Sequence, residues 1–141
     1  MVHGHIYMQE FNCRRARQKS REYGRHVETI VTVMDFDGLE LMVGKRAIPL
    51  LKQFMHVDSN HYPERLGLMF ALNTPRFFPV IWNLCRTFLD PVTAGKIFIL
   101  KKGEEAATLL QHIDSDHLPR EYQGTCRICC IGSQCIPVYE L

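Results

Sequence analysis

A chain of 141 residues has room for one hydrophobic core. With 46% hydrophobic and 23% charged residues it has an ordinary globular composition, and a net charge of +2 gives no general attraction to nucleic acid. No apolar run approaches the roughly 18 residues of a membrane span, and the N-terminus lacks the basic-then-apolar order of a secretory signal. Six cysteines without such a signal read as reduced thiols, so a cytoplasmic protein is expected.

Three regions differ in character: a basic segment over 1–24, an alternating core over 25–124 and a Cys-rich tail over 125–141. The basic stretch C-R-R-A-R-Q-K-S-R over 13–21 is compatible with a helix, and its charges read first as a solvated face. The β-branched run V-E-T-I-V-T-V-M over 27–34 predicts a strand covered on both faces. Asp35, Phe36, Asp37 and Gly38 then turn the chain. Ala47, Ile48, Leu51, Phe54 and Met55 recur at helical spacing, with Pro49 placed in or near the first turn.

A second buried strand is predicted over 66–72. Thr74 and Pro75 then offer a cap and a first helical position to a helix carrying Phe77, Phe78, Ile81, Leu84, Cys85 and Phe88, which Pro79 would bend about one turn in. Asp90 and Pro91 repeat the start signal for a short helix, followed by a strand over 97–100 and a helix over 104–113. Strands alternating with helices predict an α/β fold built on a mostly parallel sheet with right-handed crossovers.

Several signatures stand in order along this core: V-E-T-x-x-T-V-M-D at 27–35, H-Y-P-E-R-L-G at 61–67 and N-T-P at 73–75. F-L-D-P-V-T-x-x-K-I follows at 88–97 and L-P-x-E-Y at 118–122. Together they resemble the CRAL-TRIO lipid-binding domain of the sec-fourteen-type phosphatidylinositol/phosphatidylcholine transfer family. The resemblance implies a CRAL-TRIO-like fold without enzymatic activity, in which a hydrophobic pocket holds one phospholipid. A helical gate over that pocket would open during transient contact with a membrane surface.

By the same resemblance, the phosphoinositol headgroup falls to Glu64, in Y-P-E-R, and Lys96, after D-P-V-T. The chemistry suits them: an ammonium neutralises phosphate and a carboxylate accepts from inositol hydroxyls. The phosphatidylcholine positions map to Ile30, Thr32 and Asp58, of which Thr32 alone keeps a hydroxyl, so phosphatidylinositol is the favoured ligand. Ile30, Met34, Phe70, Phe77, Phe78, Ile81 and Phe88 are expected to line the pocket or gate, with core packing as the plain alternative. The gate region maps to 74–100, where Phe77, Phe78 or Trp82 would meet the bilayer. The ligand is the phospholipid, with no cofactor, metal or nucleic acid, and the protein is expected to be a monomer.

The resemblance also implies missing parts: an upstream helical domain, a first strand with a basic residue, and an S-D-x-G-P-W element beyond the C-terminus. A truncated domain of reduced stability is therefore expected. In the tail, Cys126, Cys129, Cys130 and Cys135 do not have zinc-ribbon spacing.

A rival reading takes D-F-D-G as the start of a haloacid-dehalogenase-like, Mg-dependent phosphatase. Asp35 would be the nucleophile, Asp37 the general acid, Lys96 the phosphate-neutralising cation, and Asp114 and Asp116 metal carboxylates, with Thr74 after the second strand. Leu39 stands where that family has Thr. An inactive interaction module is the third reading.

Overall fold

The computed structural model describes residues 1–100 and 102–127, with the backbone alone over 41–47. Two compact units result, Met1–Ile99 and Leu100–Leu141.

The first unit opens with helix α1, Val2–Tyr23, which stops at Gly24 in the left-handed conformation that a residue without Cβ adopts at little cost. Its inner face buries Cys13 and Ala16. Ser20 Oγ accepts from Val27 N at 2.9 Å, tying the end of the helix to the chain that enters the sheet. Strand β1 is Ile30–Asp35, helix α2 Leu41–His61, strand β2 Leu66–Leu72, helix α3 Phe78–Arg86, helix α4 Pro91–Gly95 and strand β3 Ile97–Ile99. The strands lie in the order β1-β2-β3 and pair in parallel throughout, as the alternating pattern requires. The α/β class and the parallel sheet agree with the sequence reading.

Four local expectations are corrected. β1 begins at Ile30 rather than 27, and it is not covered on both faces. It is an edge strand whose Val31, Val33 and Met34 are all exposed. Pro49 lies inside α2, since that helix starts at Leu41 and extends well upstream of the apolar repeat. Thr74 caps nothing: residues 75–78 wind as a tight turn, with Phe78 N bonded to Pro75 O at 2.9 Å, and α3 begins only at Phe78. Pro79 therefore falls in the first helical positions, where its missing N–H costs nothing, and it does not bend the helix.

Alternation along the strands assigns the two faces of the sheet. The level Val33–Phe70–Phe98 runs across all three strands on one face, and Thr32–Met69–Ile97 across the other. Phe70 and Leu72 are wholly buried, and the Phe70 ring stacks on Phe98 with centroids 5.3 Å apart. A β-bulge interrupts the β1–β2 ladder, because Ile30 pairs with Leu66 but Val31 pairs with Leu68. Gly67 is the extra residue. A Cβ there would meet Ile30 O at 3.1 Å, a tight contact that glycine avoids.

Side-chain contacts join helix α1 to α2. The His5 ring stacks on Phe54 at 4.3 Å, and Asp58 Oδ1 lies 2.7 Å from both His5 Nε2 and Gln9 Nε2. At the end of α2, the Tyr62 hydroxyl donates to Glu10 at 2.9 Å. Burial, followed by this bond to a carboxylate, raises the phenol above its usual pKa.

The second unit contains helix α5, Glu105–His112, in agreement with the 104–113 expectation, and two short 3-10 turns, Ser115–His117 and Arg120–Tyr122. Leu109, Leu118 and Cys126 are buried. Gly124 N donates to Pro119 O at 3.0 Å and Cys126 N to Leu118 O at 3.1 Å, folding the L-P-x-E-Y segment back on itself.

Candidate functional site

Glu64 and Lys96 come together at the N-terminal end of the sheet. Glu64 follows α2 in the short turn that feeds β2, and it adopts a left-handed φ of 56°. Lys96 ends α4 and feeds β3; its N donates to Thr93 O at 3.1 Å and its O accepts from Met69 N at 2.9 Å. The Lys96 main chain is therefore fixed by the sheet. The side chains meet at 3.4 Å, Nζ to Oε2, with Lys96 26% and Glu64 81% exposed. A pair this long and this wet contributes at most about 1 kcal/mol, so a ligand anion or hydroxyl can replace either partner at small cost.

Further bonds support this end of the sheet. Asp90 Oδ1 accepts from Thr93 N at 2.9 Å, capping α4, and these bonds to Thr93 hold its carboxyl below the usual carboxylate range. Ile30 N bonds Arg65 O at 2.9 Å beside the Gly67 bulge. The bulge and the turn strain at Glu64 cannot be found by hydrophobic periodicity, although glycine inside a strand pattern is a recognised signal for a bulge.

Thr32 is half-buried in β1 and level with Met69 and Ile97, the residue after Lys96. Two strand spacings, roughly 10 Å, separate it from the β3 end of the site. Asp58 lies elsewhere, engaged by His5 and Gln9 on the α1–α2 seam.

The residues grouped as pocket or gate do not form one wall. Ile30, Thr32 and Met34 alternate along one side of β1, whereas Phe70 pairs with Val33 and belongs to the opposite face. Phe70 is fully enclosed by protein, as a core residue is. Phe77 and Phe78 are half-buried, and the Phe78 ring lies 4.7 Å from Phe36. On α3, Ile81 and Cys85 turn inward, and burial pushes the Cys85 thiol up. Val80 is 75% exposed, and Leu84, Phe88 and Val92 are also exposed. Val80 and Leu84 lie on α3, Phe88 in the turn after it and Val92 on α4. The sequence reading named Leu84 and Phe88 and missed Val80, because a helix that is apolar nearly all round hides which side faces out. Lys52 Nζ sits 4.1 Å from the Phe88 ring centroid, partly covering it with a cation.

The phosphatase constellation does not assemble. Asp35 closes β1 at the C-terminal end of the sheet, where its Oδ1 accepts from Asn73 Nδ2 at 3.0 Å and Asp37 N at 2.9 Å. Lys96 precedes β3 at the other end. Asp35 pairs with Leu72 while Ile97 pairs with Met69, so the two groups stand about four residues, roughly 13 Å, apart along the strands. Asp114, Asp116 and His117 cluster in the second unit and are all exposed. Cys129, Cys130 and Cys135 lie outside the described residues.

Comparison with known proteins agrees with this fold and these motifs. Residues 1–124 match the CRAL/TRIO domain model, and the chain belongs to that family. It is 34% identical to the SEC14 cytosolic factor of Kluyveromyces lactis over 105 residues, which cover 74% of this chain and 35% of the relative. It is 38% identical to the phosphatidylinositol/phosphatidylcholine transfer protein SFH4 of Arabidopsis thaliana over 103 residues, covering 72% of this chain and 17% of that protein. The chain thus spans about a third or less of these relatives. A crystal structure of Sfh5 superposes with a TM-score of 0.52 at 23% identity, covering 59% of this chain and 29% of the other, which supports the fold alone. No helix among the described residues is long and apolar enough to cross a membrane.

Proposed function

We propose that this chain contributes the headgroup end of a phospholipid-binding site, with phosphatidylinositol as its ligand, in a protein that carries or senses lipid. The observation that carries the reading is the approach of Lys96 to Glu64 at 3.4 Å at one end of the sheet, on the two motif positions suited to phosphate and inositol. An ammonium next to a carboxylate answers both halves of that headgroup, whose phosphate is anionic and whose ring offers hydroxyl donors. Thr32 adds a hydroxyl on the neighbouring face of β1. The exposed apolar side chains Val80 and Leu84 on α3, with Phe88 after it, are the groups in this reading that a helical gate would present over the acyl chains. Burial of those chains stabilises the complex by about 0.8 kcal/mol per methylene.

In this reading the protein is not an enzyme, and the phospholipid is bound without a cofactor or metal. It works as a cytoplasmic monomer that touches membranes transiently. Residues 25–124 form the lipid-binding core, between the basic helical segment 1–24 and the tail 125–141. The reading is tested by expressing the chain, extracting bound lipid and identifying it by mass spectrometry. Inositol lipid should co-purify with the parent chain and be lost in Lys96→Ala and Glu64→Ala. The same lipid content in the parent and both variants would overturn it.

A further inference from the structure

Helix α1 carries charge that its own fold does not use. Arg14, Arg17 and Arg21 stand at i, i+3 and i+7, hence on one helical face, and all three are exposed. The neighbouring flank is neutralised locally: Lys19 pairs with Glu22 at 2.7 Å, and Arg15 donates to Gln18 Oε1 at 3.1 Å. Among the described residues no ion pair holds Arg14, Arg17 or Arg21; Glu10, four residues before Arg14 on the same face, is engaged by the Tyr62 hydroxyl. Arg21 gains something from the helix C-terminus, where positive charge is favoured. Arg14 and Arg17 lie mid-helix and gain nothing of that kind.

The same outer side carries an aromatic group. Tyr7, seven residues before Arg14 and so on its face, is 48% exposed. Guanidinium groups in line with an exposed Tyr suit the headgroup layer of a bilayer, where phosphates and half-buried aromatics lie together.

We infer that the Arg14–Arg17–Arg21 face of α1 docks this protein on anionic membranes, setting the lipid surface from which it loads or releases its ligand. The inference rests on the phospholipid-carrier reading for its biological sense, but not for its test. The alternative polyanion, a nucleic acid, is less favoured because the whole chain is only +2 and the stripe is a single helix face.

The test is co-sedimentation of the full chain with vesicles of phosphatidylcholine alone and of phosphatidylcholine with phosphatidylserine, at low and physiological salt. Binding should require phosphatidylserine and weaken with salt. Each basic residue near an anionic surface strengthens binding about fivefold, so the triple variant Arg14→Gln, Arg17→Gln, Arg21→Gln should lose about a hundredfold. The corresponding triple Lys variant should keep most of the binding, and Arg15→Gln should change it little. Equal binding to both vesicle types, or full binding by the triple Gln variant, would overturn the inference. So would tighter binding of a single-stranded RNA oligomer that displaces the vesicles. The two readings separate cleanly: extracted lipid reports the carrier function, and the vesicle series reports the docking face.

Discussion

Lys96 and Glu64 lie 32 positions apart and meet at 3.4 Å, each standing shortly ahead of one of two neighbouring parallel strands. β3 joins β2 three residues in from its start, Ile97 level with Met69, so the turn before β2 and the end of α4 lie at the same half of the sheet and the side chains reach across the offset to meet. The pair is a product of topology, and weak pairing leaves both groups available to a ligand.

Glu64 has a left-handed φ of 56°, which permits a substitution that separates its charge from its turn. Glu64→Gly keeps that conformation, relieves roughly 1 kcal/mol of backbone strain and deletes the carboxylate. The expected variant melts at or slightly above the parent temperature but has lost its inositol lipid. Lys96→Met, which keeps an unbranched stem without the charge, should lose it too. Mass spectrometry of extracted lipid beside a thermal melt checks both, and Glu64→Gly with parental lipid content would count against the headgroup assignment.

Asp90 makes α4 sensitive to acid. Its bonds to Thr93 hold the folded carboxyl below its unfolded pKa, so the stabilisation is fully present above the unfolded value and is lost as pH falls through the folded one. Melting temperature should therefore decline on acidification through the carboxylate range. Asp90→Asn retains a capping oxygen and should lose this component of the decline, whereas Asp90→Ala should melt lower at neutral pH. Superimposable pH profiles for parent and Asn variant would show that the cap does not contribute.

Phe70 is wholly buried in the middle strand and stacks on Phe98. Phe70→Ala should cost about 3–5 kcal/mol, comparable to the whole stability of a small domain. Phe70→Leu should cost less. Denaturant titration followed by circular dichroism measures both, and a mild effect of the Ala variant would mean that this face of the sheet is not the core.

Gly124 tests the second unit independently. A Cβ at this position would overlap the carbonyl and side chain of Leu118, which no rotamer change can relieve. Gly124→Ala should displace the 118–126 fold-back at a cost of about 3 kcal/mol, visible as new trypsin cleavage at Arg120 or Arg127. The digestion pattern of the parent chain would refute the close approach.

Much of the architecture was legible in the residues. The runs at 66–72 and 97–100 and the pairing of Asp90 with Pro91 predict β2, β3 and α4, because a buried strand needs an unbroken apolar run and a capped helix needs an oxygen ahead of its first free N–H groups. The two prolines of 75–79 defeated the same rules. Either could start a helix, and the tight turn over 75–78 gave that role to Pro79. Pro49 misled in the opposite sense, since apolar periodicity marks where a helix is buried and not where it begins.

By itself the sequence determined the family, the parallel α/β order and the two headgroup residue types, since motifs and periodicity are properties of neighbours along the chain. Tertiary structure alone decided that Glu64 and Lys96 share one end of the sheet while Asp35 lies at the other, and that Phe70 and Thr32 face opposite ways. It also set the inner and outer sides of α1, leaving Arg14, Arg17 and Arg21 outside any ion pair among the described residues. The physical reason is common to all three. Strand register and helix rotation are fixed by which faces can be buried together, and that choice depends on residues far apart in the chain.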